Sequence, residues 1–116
     1  MANITFTNLG NQQYSFEGLN DYSYTVQNAG TKNINVRVTD ASGDVSGITV
    51  AIKVGSSTKV TATGAAGANG LSAGLQYNFS ANDVLHIVLT SSAAGDAAPN
   101  QVFGTVFMSS LTGGEG

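Results

Sequence analysis

Residues 34 to 39 read INVRVT and residues 48 to 54 read ITVAIKV, and in both stretches every second side chain is aliphatic. Ile34, Val36 and Val38 share one phase against Asn35, Arg37 and Thr39; Ile48, Val50, Ile52 and Val54 share another against Thr49, Ala51 and Lys53. Successive side chains of an extended chain point to opposite sides, so each stretch is a strand with one apolar and one polar face. A helix would scatter the same residues around its axis. Nowhere does a helical period coincide with good helix formers and caps, which places the chain in the all-β class.

The same reading extends in both directions. NITFTNL (3–9) puts Ile4, Phe6 and Asn8 in phase as a first strand, QYSFEG follows with Tyr14 and Phe16, and YSYTVQ with Tyr22, Tyr24 and Val26. NAGTKN (28–33) and DASGDVSG (40–47) carry the Asn, Asp and Gly that turns favour. A hairpin at GSS (55–57) leads into STKVTAT. GAAGANGLSAG (64–74) offers little side chain to bury and reads as a long loop, its glycines making a short helix near Leu71 expensive. LQYNFS and DVLHIVLT come next, then a small-residue loop, SSAAGDAAPN (91–100), with the only proline, and finally QVFGTVFMSS. About eight or nine short strands with regular turns predict an antiparallel β-sandwich of jelly-roll or Greek-key type. Residues 1–110 form one domain in this reading and LTGGEG (111–116) a flexible tail.

Charge excludes several functions. Charged residues make up 9% of the 116, against about 25% in an ordinary domain. The four cations, Lys32, Arg37, Lys53 and Lys59, are scattered and the net charge is −3, so no cluster exists to displace the counterions of a nucleic acid. There is no cysteine for a disulfide or thiolate metal site. No stretch approaches the roughly 20 apolar residues of a membrane helix. MANITFTNLG lacks the basic and apolar regions of a secretory signal, which predicts synthesis in a cytoplasm. Yet a sparsely charged strand protein rich in Ser, Thr, Asn and Gly suits an exposed surface. A virion component, made inside a host and working outside it, meets both conditions.

Each candidate for chemistry has a structural reading beside it. His86 lies within VLHIVLT (84–90), where Leu85, Ile87 and Leu89 face one side and Val84, His86 and Val88 the other. A strand apolar on both faces has its second face covered too, within the domain or by another subunit, so His86 reads as a packing or hydrogen-bonding residue. One histidine without a nucleophile elbow makes a Ser/His/Asp triad a poor fit. Glu17 and Asp21 could pair as acid and base, but EGLND is a turn-like segment where carboxylates face water. Asp40, Ser42 and Asp44 could offer oxygens to calcium; the alternative is Asx turns, with each carboxylate on local N–H groups. GAAGANG lacks the Lys-Ser/Thr of a phosphate loop. Tyr14, Tyr22, Tyr24 and Tyr77 could form an aromatic platform for a sugar, or fill the core with hydroxyls at the rim. The expectation is a non-enzyme with no catalytic, cofactor or metal residues.

Residues 74–110, GLQYNFSANDVLHIVLTSSAAGDAAPNQVFGTVFMSS, resemble the closing part of jelly-roll or sandwich proteins that decorate bacteriophage capsids. The shared pattern is an Asp-led hydrophobic strand (here Asp83 to Thr90), a small-residue loop and a final strand (Gln101 to Ser109). Phage fibre and receptor-tip sandwiches share that element. The resemblance implies a homo-oligomer, often a trimer, seated on the major capsid protein. The expected function is a capsid decoration, or cement, protein on the virion surface. The alternative is a receptor- or glycan-binding module of a phage fibre or secreted bacterial protein.

Overall fold

The computed structural model of the chain describes residues 2–5, 11–91 and 102–110. Among them are nine strands and no helix: β1 Ala2–Asn3, β2 Asn11–Glu17, β3 Asp21–Thr25, β4 Gly30–Asp40, β5 Ile48–Val54, β6 Ser57–Thr63, β7 Gly70–Phe79, β8 Val84–Ser91 and β9 Val102–Ser110. They form a five-stranded sheet, ordered β1-β3-β8-β5-β6, and a four-stranded sheet, ordered β2-β9-β4-β7. Every pairing is antiparallel except that of β1 with β3. The chain changes sheet at each step along the sequence except from β5 to β6. That alternation is what makes the sandwich a jelly roll.

The alternating aliphatic residues meet between the sheets. Ile34, Val36 and Val38 of β4 and Val102, Val106 and Met108 of β9 line one inner face; Ile48, Val50 and Ile52 of β5 and Leu85, Ile87 and Leu89 of β8 line the other. All are buried. Removing each such side chain from water contributes about 1.5–3 kcal/mol, the main source of stability in a chain without staples. At one open edge of the sandwich, Lys59 of β6 reaches over the ring of Tyr77 of β7, 5.2 Å from its centre.

Turn residues fall where backbone conformation requires them. Gly55 takes φ 61 at the first of the two residues joining β5 to β6, the position a type II′ hairpin reserves for glycine. Asn82 takes φ 74 between β7 and β8, which its short amide tolerates. There Asp83 Oδ2 accepts the Ser80 N–H at 2.8 Å.

Several expectations need correction. NAGTKN is not a turn throughout, because β4 begins at Gly30. Nor is 64–74 all loop: Gly70–Gly74 pair with Asn35–Thr39 as the first half of β7. A ladder needs only backbone groups, and the small residues suit close approach, since a Cβ on Gly74 would come within 3.3 Å of Asn35 Oδ1. Lys32, read as one of four scattered cations, is 1% exposed on the inward row of β4. The first strand is only Ala2–Asn3, extended by an Ile4 N–H donated to the Ser23 carbonyl at 2.7 Å. The expectations for Phe6 and Asn8, for most of the 91–100 loop and for the 111–116 tail lie outside the described residues.

Candidate functional site

Strand β9 carries apolar residues in both phases, and the structure separates them. Val102, Gly104, Val106 and Met108 point inward, while Phe103 and Phe107 point out and are 43% and 36% exposed. They are the large hydrophobic side chains left in water among the described residues. Gly104 is fixed by its partner. The Phe16 ring, opposite it on β2, lies where a Gly104 Cβ would be and continues onto Tyr22, with ring centres 4.4 Å apart. A bulky phase in β9 at this point is ruled out by that ring.

Register sets what surrounds the two phenylalanines. Phe107 lies between Gln13 and Asn35, Thr105 between Ser15 and Arg37, and Phe103 between Glu17 and Thr39. The outer face of the four-stranded sheet is thus hydroxyl and amide, with two aromatic rings and two charges. One groove of about 590 Å³ includes Ser15, Glu17, Asn20, Arg37 and Phe103 in its lining; a second, of about 390 Å³, is lined by Gln13, Asn35, Arg37, Thr105 and Phe107. Neither the Arg37 guanidinium nor the Glu17 carboxylate has a hydrogen bond or ion pair among the described residues. Such a face can bury apolar surface and accept opposite charges from something laid against it.

Of the residues singled out from sequence, Glu17, Tyr14 and Tyr22 line the larger groove and the rest lie outside it. The four tyrosines form no single platform: all pack against the core, from β2, β3 and β7, and Tyr14 and Tyr22 alone share the lining of the larger groove. Tyr22 is 4% exposed, its hydroxyl shared between the carbonyls of Glu17 and Gly18 at 2.8 and 2.6 Å. Burial first, then Tyr14 and Glu17, raises its pKa above 10.0. His86 stands on the outer face of the five-stranded sheet, between Ser23 and Lys53, with Nδ1 2.9 Å from Asp21 Oδ1. Its ring ties β3 to β8, the hydrogen-bonding role read from the sequence. Glu17 is on β2 of the other sheet and is no part of that pair.

In the 40–47 loop, each aspartate folds onto its own neighbour. Asp40 Oδ2 accepts the Ser42 N–H at 2.9 Å and the Ser42 hydroxyl; Asp44 Oδ1 accepts the Ser46 N–H at 2.9 Å and hydroxyl at 2.6 Å. These are Asx turns. Hydrogen bonds from the Ser46 hydroxyl and N–H, with a further one from Gly67, hold the Asp44 pKa below 3.8 against slight desolvation. Among the described residues no three His, Cys, Asp or Glu side chains gather as a metal site would require.

Apolar side chains in both phases of QVFGTVFM can be seen in the sequence, whereas their geometry cannot. The available signal was the doubled apolar phase itself, with Gly104 marking which phase was inward.

No family model matches the chain, and no curated protein does. Solved structures do share its fold. The PRD1 vertex protein P5 superposes with a TM-score of 0.63 at 14% identity, over 92% of this chain and 99% of that one. The globular domain of zebrafish complement 1qA protein gives 0.58 at 10% identity, over 77% and 68%. A Clostridium perfringens ZmpB structure, comprising the M60 catalytic domain with two CBM51 domains, gives 0.60 at 9% identity, over 86% of this chain and 11% of that one. At such identities the likeness is one of fold: a jelly-roll β-sandwich.

Proposed function

We propose that the chain is a structural component of a virus particle, a decoration protein that binds the assembled capsid as a homo-oligomer and stabilises it. A trimer is the state the sequence resemblance favours. In this reading the protein is made in the host cytoplasm, works on the virion surface and catalyses nothing. The observation that carries it is the outward pair Phe103 and Phe107 on an otherwise hydroxyl- and amide-bearing sheet face. Covering both rings would gain about 1 kcal/mol or more apiece. Sparse charge suits the role, because each unpaired charge buried on assembly opposes it. The shared jelly-roll fold of a phage vertex protein is in keeping with this reading.

A decoration protein binds only the closed shell, so mass action favours that shell. At a free concentration about 100 times Kd, each site adds roughly 2.7 kcal/mol. The test compares heat rupture of particles lacking the protein with that of the same particles after adding it back. Equal rupture temperatures at high bound copy number refute reinforcement.

A second reading, a glycan-binding module, draws on the larger groove, where Phe103 stands beside Glu17 with Arg37 one row away. It predicts that the isolated chain binds a sugar array, whereas a decoration protein binds only particles.

A further inference from the structure

The outer face of the four-stranded sheet carries two charged side chains among its described residues, Glu17 on β2 and Arg37 on β4. They have opposite signs and both are exposed. Strand β9 lies between them, and Arg37 is one side-chain row away from Thr39, whose row contains Glu17. That puts them about 10 Å apart across the strands and about 7 Å apart along them. Neither is paired with the other or with any other described group.

We propose that Arg37 of one copy pairs with Glu17 of a neighbouring copy when this face is buried in the homo-oligomer. The inference rests on the self-association proposed above and adds to it a register. Phe103 and Phe107 supply apolar area without direction, since two flat aromatic patches pack in many orientations. The charges remove that freedom. An interface that covers the rings also desolvates an adjacent guanidinium and carboxylate, and a buried charge without a partner opposes association strongly. A second copy presents the complement of both, in the same proportion. In a closed cyclic assembly each copy gives one arginine and receives one, so no charge is left over. A partner of other chemistry would have to reproduce that balance independently.

Sedimentation equilibrium of the full chain tests this by charge exchange. Wild type should associate, and more weakly as salt rises. Arg37→Glu alone and Glu17→Arg alone each place like charges together and should weaken association roughly a hundredfold or more. The double exchange, Arg37→Glu with Glu17→Arg, should recover it to within about tenfold of wild type. Both side chains are exposed, so each variant should keep its strand spectrum, which circular dichroism checks. A double variant as weak as either single one overturns the pairing. If Phe103→Ser with Phe107→Ser also yields monomers, the self-association face stands and only the pairing is lost. A wild type that is monomeric at every concentration overturns both. Single reversals that leave self-association intact but abolish particle binding would place the charges against the capsid instead, and refute the pairing between copies.

Discussion

Replacing Gly104 by alanine sets two physical effects of opposite sign against each other. In a strand interior, alanine ordinarily gains about 0.5–1 kcal/mol over glycine, because glycine loses more backbone freedom on folding. Here the added Cβ would overlap Cε1 and Cζ of Phe16 and lie 3.0 Å from Cδ1. Carbon atoms sit comfortably about 3.5–4.0 Å apart, so the ring must retreat by about 1 Å or more. It has little room, since Tyr22 backs it with ring centres 4.4 Å apart and Phe16 is itself 6% exposed. Overpacking of this kind costs about 1–3 kcal/mol, which exceeds the gain. Gly104→Ala should therefore destabilise by about 1–2 kcal/mol. Phe16→Leu removes the offending ring, so the double variant should be more stable than the sum of the two single losses by about 1 kcal/mol. Urea unfolding at fixed protomer concentration measures all four corners, the concentration being held because association shifts the midpoint. Stability at or above wild type in Gly104→Ala, or strict additivity with Phe16→Leu, would refute the argument.

Four further outcomes are expected. Gly64→Ala should destabilise at least as much, because its Cβ would overlap the Val45 carbonyl, a backbone atom that no side-chain rotation can move aside. The lowered Asp44 pKa means that its contribution to stability is present above 3.8 and lost as pH falls through the lower folded value; Asp44→Asn should flatten that acid limb in urea midpoints. The raised Tyr22 pKa works at the other end, its contribution being present below 10.0 and lost as pH rises through the higher folded value; Tyr22→Phe should flatten the alkaline limb and cost about 1 kcal/mol at neutral pH. His86→Gln should lower thermal stability by less than about 1 kcal/mol and leave association unchanged, and loss of particle binding with the fold intact would make the imidazole a contact residue.

The strands that bury one face completely were the legible ones. Ile34, Val36 and Val38, and Ile48, Val50 and Ile52, announce their sheet position because burial leaves no freedom in which residue types occupy it. Edge strand β7 was less legible over Gly70–Gly74, where the backbone ladder holds the chain and side chains contribute little pattern. Lys32 and Asp40 hid the true length of β4, since a charged residue on each end of the inward row breaks the alternation there. The tyrosines left two readings open. An aromatic ring with a hydroxyl fits a rim or a binding platform equally well in sequence, and only the inward phase of Tyr14, Tyr22 and Tyr77 decides between them. Phe103 and Phe107 were visible as apolar excess, but their exposure depends on which side of β9 the Phe16 ring occupies.

The position of β9 has a consequence for biosynthesis. It is the last of the nine strands to leave the ribosome, yet it lies inside its sheet, with β2 on one side and β4 on the other. Asn11 pairs with Ser109, so nearly the whole domain must be made before that contact can form. Until then β2 has no neighbour, and β4 has only β7. The nascent chain thus waits with β2 wholly unpaired and one edge of β4 open, each able to template pairing with another chain. Folding dominated by such distant pairings is slow, and the waiting period is when the molecule is most open to misassembly. Pausing synthesis just before residue 102 should leave a protease-sensitive, chaperone-bound intermediate, and supplying the β9 segment as a separate peptide should rescue it.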